Sequence, residues 1–202
     1  MSVAVRISPP PRPGPPPELD EFTLALAQRG DAAARRALVV RYQRPIFALL
    51  GRMFPGPGER PRVEDLAQET FLRVLRALPE FRRGGPTRLS TWILTIASNL
   101  AIDAMRRSRR VMVPIDAEAL AVADDEAPLS GVERSLLARA LGQAIDGLSP
   151  EHRAAFLLRE YHELSYAEIS EALGIDLGTV KSRLCRARAA LREALREVHD
   201  AR

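Results

Sequence analysis

Residues 165–193 carry a succession of helix signals that allows few folds other than two consecutive helices. Ser165 and Glu168 match a capping box, in which each side chain pairs with the backbone of the other residue at a helix start. Gly174 follows a short amphipathic stretch, where a left-handed residue can end a helix. Asp176 can then cap a longer basic helix. A short helix, a tight glycine turn and a second helix are typical of a helix-turn-helix.

The second helix of this motif has one apolar face and one basic face. At about 100° per residue, four residues form a buried stripe: Val180, Leu184, Ala187 and Leu191. The opposite face is small and polar at its centre and cationic at its edges, which suits the major groove because small residues allow close approach. A solvated surface is the alternative, but such a surface more often mixes Glu with Lys. The predicted duplex-DNA contacts are Thr179, Lys181, Ser182, Cys185 and Arg186.

The rest of the chain also favours helices over strands. Ala, Leu and Arg dominate its 202 residues, and β-branched residues are sparse. From Leu19 onwards apolar residues recur at three- and four-residue steps, with a Pro-Gly-rich break at 55–61. Helices are expected near 63–78 and 88–110. The sequence therefore predicts an all-α fold of two small helical domains, 19–110 and 134–202.

Two segments are predicted to lie outside these domains. Residues 8–17 contain seven prolines, which block helix and strand pairing, so residues 1–18 are expected to form a disordered tail. Residues 111–133 contain six acids and no Lys or Arg, together with helix-breaking Pro and Gly. This stretch is expected to be a flexible acidic linker between two basic segments.

Composition argues against several functional classes. Cys185 is the only cysteine and the three histidines are scattered, so no metal site or cofactor is expected. No apolar run approaches the roughly 20 residues of a membrane span, and the N-terminus lacks an apolar signal core. A cytoplasmic protein without membrane insertion is the natural expectation. A net charge of +4 and a pI near 9.9 hint at an acidic partner.

The predicted helix 88–110 repeats the division into an apolar and a polar face. Its apolar stripe comprises Leu89, Ile93, Ala97, Leu100 and Ala104, with Trp92 at the edge. The opposite side carries Thr91, Thr95, Ser98, Asn99, Arg106 and Arg109, with Ile102 as an apolar exception. Hydroxyls, an amide and arginines together can grip a separated strand by its bases and phosphates. Without further information, Asn99 is an ordinary exposed polar residue.

The residues quoted above resemble a known family, the extracytoplasmic-function (ECF) sigma factors of bacterial RNA polymerase. Residues 148–193 resemble the promoter −35-binding region 4, and the stretch Gly-Thr-Val-Lys-Ser-Arg at 178–183 is its most specific part. Residues 65–78 and 81–110 resemble region 2. The resemblance implies an initiation factor that binds core RNA polymerase and promoter DNA and is not itself an enzyme. It also implies an anti-sigma factor as a partner.

The same resemblance implies roles for residues of the first domain. Asp65, Gln68 and Glu69 would dock on the clamp helices of the largest polymerase subunit. The residues expected to capture the melted −10 strand are Arg82, Arg83, Arg88, Thr95, Ser98, Asn99, Arg106 and Arg109. The chain departs from the family in its Pro-rich tail, in the insert 55–61, and in the loop 82–88, which has Gly-Gly-Pro where many relatives carry an acid.

Two other classes of protein are weaker alternatives. A stand-alone helix-turn-helix regulator would explain residues 148–193, but not the second basic helical domain, and no extra dimerisation helix is apparent. An enzyme acting on nucleic acid would need clustered carboxylates or histidines beside the basic faces. Asp103 is the only acid among residues 82–110, which include seven arginines.

Overall fold

The computed structural model describes residues 18–56, 58–82, 84–85, 87–111 and 141–200, and this part of the chain contains helices and no strand. The predicted all-α fold is therefore confirmed. The Pro-rich residues 1–17 and most of the predicted acidic linker lie outside the described residues. The helices are α1 (Glu21–Gln28), α2 (Ala32–Met53), α3 (Arg60–Ala77), α4 (Leu89–Val111), α5 (Pro150–Glu160), α6 (Tyr166–Leu173) and α7 (Leu177–Asp200). A 3₁₀ turn (Leu78–Glu80) follows α3, and residues 141–146 are helical.

Local capping chemistry fixes most of the helix starts. Asp20 accepts a hydrogen bond from Thr23 N at 2.8 Å to start α1, and Asp31 accepts one from Ala34 N at 2.8 Å to start α2. Ser149 caps α5, which has proline in its first turn. The predicted capping box at the start of α6 and the left-handed glycine at its end are both present.

Helices α1–α4 form the N-terminal unit, residues 18–111, and residues 141–200 form the C-terminal unit. In the N-terminal unit α2 packs against α1, α3 and α4 around a set of fully buried side chains that includes Leu38, Tyr42, Ile46, Leu49, Leu50, Ile93 and Leu94. In the C-terminal unit α5, α6 and α7 pack on one another around Leu157, Leu158 and Ile169. The apolar stripe predicted for α7 is buried in this second core.

The two units are in contact through α5 and α6, which pack on α2 and α4. Arg153 of α5 is buried and donates from Nη1 to the carbonyl oxygen of Met53 at 2.8 Å. The guanidinium of Arg52 stacks on the ring of Tyr161, 4.1 Å from its centroid. Because buried apolar residues continue from one unit into the other, the two cores form one cluster.

The described helices include none that is both long and apolar enough to cross a bilayer. The longest of them, α4 and α7, each have polar or charged residues on one side and apolar residues on the other. This amphipathic pattern is typical of helices that cover a protein core.

Candidate nucleic-acid interface

Helix α7 begins directly after the turn of the helix-turn-helix, where Asp176 caps its first residues. The Asp176 carboxylate accepts hydrogen bonds from Thr179 N at 2.9 Å and from the Thr179 hydroxyl at 2.5 Å. These hydrogen bonds lower the pKa of Asp176 below its ordinary value. A Cβ at Gly178 would lie 2.9 Å from Asp176 Oδ1, so only glycine fits beside the cap. The glycine of the 178–183 stretch therefore has a local structural reason.

The outward face of α7 lies where the sequence predicts it. Lys181, Ser182, Cys185 and Arg186 are exposed, and Thr179 is half-buried by its bond to the cap. Ser182 donates from its hydroxyl to Thr179 O at 3.0 Å, which keeps this side chain close to the helix. Small groups thus occupy the centre of the face, with cationic groups beside them. Such a surface can approach base edges closely while Lys and Arg reach phosphates or guanine.

A hydrogen bond to α5 anchors helix α7 within the C-terminal unit. Arg188 donates to the Glu160 carboxylate of α5 at 2.8 Å, and this hydrogen bond raises the pKa of Arg188. The contact uses a cation on the flank of α7 rather than one on its outward face. The predicted DNA-facing cations therefore remain available.

Helix α4 differs from the prediction on its outer side. Its apolar stripe is buried as expected, but Thr91, Ser98 and Ile102 are buried as well, each no more than 7% exposed. The Thr91 hydroxyl donates a hydrogen bond to the Glu168 carboxylate of α6 at 3.2 Å. Ser98 and Ile102 lie further along the same face of α4. The C-terminal unit covers this face, which is why Ile102 is apolar there.

Two of the hydroxyls predicted to face a DNA strand are consequently not free in this arrangement. Ser98 is fully buried, and its Oγ has no hydrogen-bond partner among the described residues. Thr95 is half-buried and donates to Thr91 O at 2.8 Å within its own helix. The prediction that Ser98 is exposed was wrong, because it treated α4 as a helix with a single covered face. Asn99, the next residue, is exposed as predicted.

The arginines predicted to hold the strand have different surroundings. Arg82 is exposed, and Arg83 lies outside the described residues. Arg106 pairs with Glu151 of α5, with Nη2 2.6 Å from the carboxylate. Arg109 belongs to α4, but its side chain lies outside the described residues. An acid of the C-terminal unit thus occupies one predicted phosphate contact.

Glu18 meets the start of α4. Its carboxylate accepts hydrogen bonds from Leu89 N at 3.0 Å and Ser90 N at 3.2 Å, and lies 3.5 Å from Arg88 Nε. The sequence assigned Glu18 to the disordered tail, and the structure corrects that boundary because this residue has partners in α4. Arg88 itself remains substantially exposed.

The side chains predicted to meet the polymerase line one face of α3. Asp65 and Gln68 are exposed, and Glu69 is half-buried and pairs with Arg73 at 2.7 Å. Leu72 follows one turn further along this face and is 48% exposed. A single exposed leucine is ordinary on a protein surface, so the polymerase contact of this face stays a prediction.

Sequence reasoning missed four carboxylates that touch the predicted −10 surface: Glu18, Glu151, Glu168 and Glu171. Glu168 was assigned to the capping box alone, and its carboxylate serves both that box and Thr91. The signal for Glu18 was present in the sequence, since Arg88 precedes α4 and cannot accept a bond from the helix amides. No comparable signal identifies Glu151, whose contact joins residues far apart in the chain.

Models of known protein families match both units of the chain. The family model described as Sigma-70 region 2 matches residues 38–111, and that described as Sigma-70 region 4 matches residues 138–191. The RNA polymerase sigma-H factor of Pseudomonas aeruginosa is 35% identical over 187 residues, which cover 88% of this chain and 94% of that protein. The ECF RNA polymerase sigma-E factor of Escherichia coli K12 is 34% identical over 181 residues, covering 85% and 92%.

Two solved structures have a similar fold. CnrH in complex with the cytosolic domain of CnrY aligns with a TM-score of 0.61 and 26% identity, covering 88% of this chain and 97% of that one. The sigma factor RpoE in complex with the anti-sigma factor NepR from Bartonella quintana also aligns with a TM-score of 0.61, at 25% identity over 80% and 96% of the chains. The chain therefore belongs to the ECF sigma factors.

Proposed function

We propose that this chain binds core RNA polymerase and directs it to promoters by reading two DNA elements with two different surfaces. Helix α7 enters the major groove of the −35 element. Helix α4 and the loop 82–88 capture the melted −10 strand. The observation that carries this proposal is the presence of two basic helical surfaces of different character on one chain, one on each unit.

The −35 contacts follow from the outward face of α7. Ser182 and Cys185 form its small centre, while Lys181 and Arg186 lie at its edges, and all four are exposed. Arg186 has the length and the donor fork to bond guanine O6 and N7. Lys181 is a point charge suited to phosphate, and Thr179 anchors the start of the helix. Sequence reading in the duplex is therefore assigned to Arg186.

The −10 contacts centre on Asn99. This amide is exposed on α4 between a hydroxyl-bearing turn and an arginine-bearing turn. An amide can pair with the edge of an unstacked base, and a flipped base needs such a pocket to offset the few kcal/mol lost on unstacking. Arg82, Arg83, Arg88, Arg106 and Arg109 would hold the flanking phosphates. Thr95 and Ser98 would line the pocket.

The docked C-terminal unit must leave α4 before Ser98 can meet a strand. The buried Ser98 hydroxyl supports this step, because a buried hydroxyl without a partner costs about 1–3 kcal/mol and so weakens the docked state. Arg106, paired with Glu151, would also be released. Binding to polymerase, through Asp65, Gln68 and Glu69 on α3, would favour the open arrangement.

Three further assignments follow from membership of the family. The protein acts beside RNA polymerase in the cytoplasm and has no catalytic centre of its own. An anti-sigma factor is a fitting partner, because one of the two similar structures holds the sigma factor RpoE in complex with the anti-sigma factor NepR. The two-unit arrangement offers such a partner surfaces on both units.

Run-off transcription with purified core polymerase tests the proposal directly, on a promoter found by genome-wide binding. We expect the wild-type chain to melt the −10 region, made visible by permanganate reactivity of its thymines. Asn99→Ala should keep core binding and −35 recognition but lose most of this reactivity. Gln43→Ala, an exposed amide on α2, is the matched control. Normal reactivity of Asn99→Ala would remove Asn99 from the site, and absence of wild-type melting would overturn the proposed function.

A further inference from the structure

No neighbouring side chain among the described residues caps the start of helix α4. Arg88 occupies the position before its first residue, and a guanidinium cannot accept hydrogen bonds from the free amides of a helix start. The neighbouring Thr87 hydroxyl is turned away and contacts Glu171 of α6. A helix that begins without a local acceptor frays in water unless a remote group supplies one. The first turn of α4 therefore depends on a residue from elsewhere.

Glu18 is that remote acceptor. Its two carboxylate oxygens receive Leu89 N at 3.0 Å and Ser90 N at 3.2 Å, and the Ser90 hydroxyl donates to it as well. The residues so joined lie 71 and 72 positions apart in the chain. The negative charge also suits the positive end of the α4 dipole. In the sequence, Glu18 directly follows the Pro-rich residues 8–17.

The backbone around Glu18 is held by α2. Arg41 Nη2 donates to Glu18 O at 3.4 Å, and Leu19 N donates to the Tyr42 hydroxyl at 3.1 Å. Burial and the nearby Glu18 carboxylate raise the pKa of Tyr42 to about 12, so its hydroxyl stays protonated. Glu18 is thus fixed against the core of the N-terminal unit while its side chain reaches α4.

The Glu18 carboxylate also orients Arg88. The ion pair uses Nε, at 3.5 Å, and the Arg88 side chain keeps 43% of its surface exposed. An arginine held at Nε can still present Nη1 and Nη2 to a second anion. Glu18 therefore fixes both the first turn of α4 and the direction of a cation predicted to bind the melted strand.

We propose that Glu18 is a positioning residue for capture of the −10 strand. It caps α4 and aims Arg88 at a phosphate of the strand without touching DNA itself. This inference rests on the proposed function, in which α4 and the loop 82–88 receive the unstacked base. Loss of the cap lets the start of α4 fray and leaves Arg88 without its carboxylate partner.

Glu18→Ala, in the full chain bound to core polymerase, tests this proposal against Asp31→Ala. Asp31 caps α2 by the same kind of bond, at 2.8 Å, and the hydrogen bonds described for it lie within the α1–α2 segment. Both variants remove one carboxylate cap and should lower the melting temperature by similar amounts. We expect only Glu18→Ala to reduce open-complex formation, by about fivefold, with core affinity and −35 duplex binding unchanged. Glu18→Gln should recover part of the loss, since its amide oxygen still accepts from the helix amides.

Arg88→Ala adds a second criterion. If Glu18 acts partly through Arg88, Glu18→Ala should cost less in the Arg88→Ala background than in the wild type. Equal open-complex formation by Glu18→Ala and Asp31→Ala would overturn the proposal. An increase with Glu18→Ala would also overturn it, because the carboxylate would then compete with a DNA phosphate for the same donors. Failure of the wild-type holoenzyme to melt the promoter would instead contradict the proposed function.

Discussion

Helices α4 and α7 have similar lengths and similar sequence patterns, but they differ in how much of their surface the fold covers. On α7 one stripe is buried and the predicted outward face is open. On α4 a second face is buried beneath α5 and α6. The difference arises because the main described contacts of α7 are with α5 and α6 of its own unit, whereas α4 packs on helices of both units. Periodicity identifies an apolar stripe, but not a second neighbour on the polar side.

This contrast also separates the two DNA-binding surfaces functionally. In this arrangement the −35 surface is open, while the −10 surface is partly covered by α5 and α6, whose Glu151 and Glu168 contact it. A chain in this state can present α7 to duplex DNA but cannot enclose a base against Ser98. The strength of the junction between the units can be measured as a free energy of unfolding. The dependence of each surface on the junction can be measured as DNA binding.

The largest expected effect comes from Arg153→Ala at the junction of the units. The Arg153 side chain is 5% exposed, bonds Met53 O at 2.8 Å, and also contacts Asp146. Its removal leaves the buried Met53 carbonyl without this donor and a cavity at the junction, and should cost about 4 kcal/mol. Urea unfolding followed by the fluorescence of Trp92, the only tryptophan, reports the N-terminal unit.

Because Arg153 belongs to the C-terminal unit, a shift of the Trp92 transition would show that the two units unfold together. Arg192→Ala is the control, since Arg192 is exposed and bonds only Arg188 O in its own helix. It should change stability by less than about 0.5 kcal/mol. If Arg153→Ala leaves the Trp92 unfolding transition unchanged, the two units fold independently. The contrast between α4 and α7 would then have no energetic basis.

The second effect is a pH dependence centred on His162, which is buried beside Arg52 of the other unit. Burial, and then the Arg52 charge, lower the pKa of His162 from 6.5 to about 4. The folded state favours the neutral ring, so this contribution is complete above pH 6.5 and is lost as the pH falls towards 4. The difference between the two pKa values corresponds to roughly 3 kcal/mol.

Free energies of unfolding measured between pH 7 and 4.5 check this value. His162→Gln should show a shallower loss than the wild type, while the carboxylates contribute equally to both proteins. Separation of the units would remove the Arg52 charge and expose the ring, so an NMR titration of His162 also reports docking. A His162 that titrates near 6.5 in the free protein would contradict the docked arrangement.

Much of the C-terminal unit could be predicted from sequence because its determinants are local. The Ser165–Glu168 box, the left-handed Gly174 and the Asp176 cap each involve residues within a few positions. The cap of α4 joins residues 71 positions apart, and the burial of Ser98 depends on a different unit. Local signals specify where a helix begins, whereas long-range packing decides which of its polar residues stay exposed.

The third prediction concerns specificity at the open surface. Arg186→Ala should weaken discrimination between matched and scrambled −35 elements by about 1–3 kcal/mol, since Arg186 is exposed at the edge of the reading face. Lys181→Ala should weaken binding to both sequences alike and flatten the salt dependence. Binding titrations of the holoenzyme at several salt concentrations measure both effects. Equal losses on the two sequences for Arg186→Ala would restrict Arg186 to a phosphate contact.

The smallest expected effect concerns the covered surface, where Glu151 pairs with Arg106. Their closest atoms are 2.6 Å apart, but the Arg106 side chain is 54% exposed, so the pair should contribute less than about 1 kcal/mol to stability. Partial burial opposes ionisation of Glu151, yet its hydrogen bonds, including that from Arg106, lower its pKa below the ordinary value. Glu151 is therefore charged at neutral pH and neutralises a cation that the −10 strand is predicted to use.

Glu151→Gln should consequently raise the affinity of the free protein for single-stranded −10 DNA by about two- to fivefold at low salt. Glu193→Gln removes the same charge from an exposed pair within α7 and serves as the control. The gain should disappear in the Arg106→Ala background and shrink as salt screens the contact. An equal gain for Glu193→Gln, or one that survives Arg106→Ala, would reflect net charge alone. The acid at the junction would then have no specific part in covering the −10 surface.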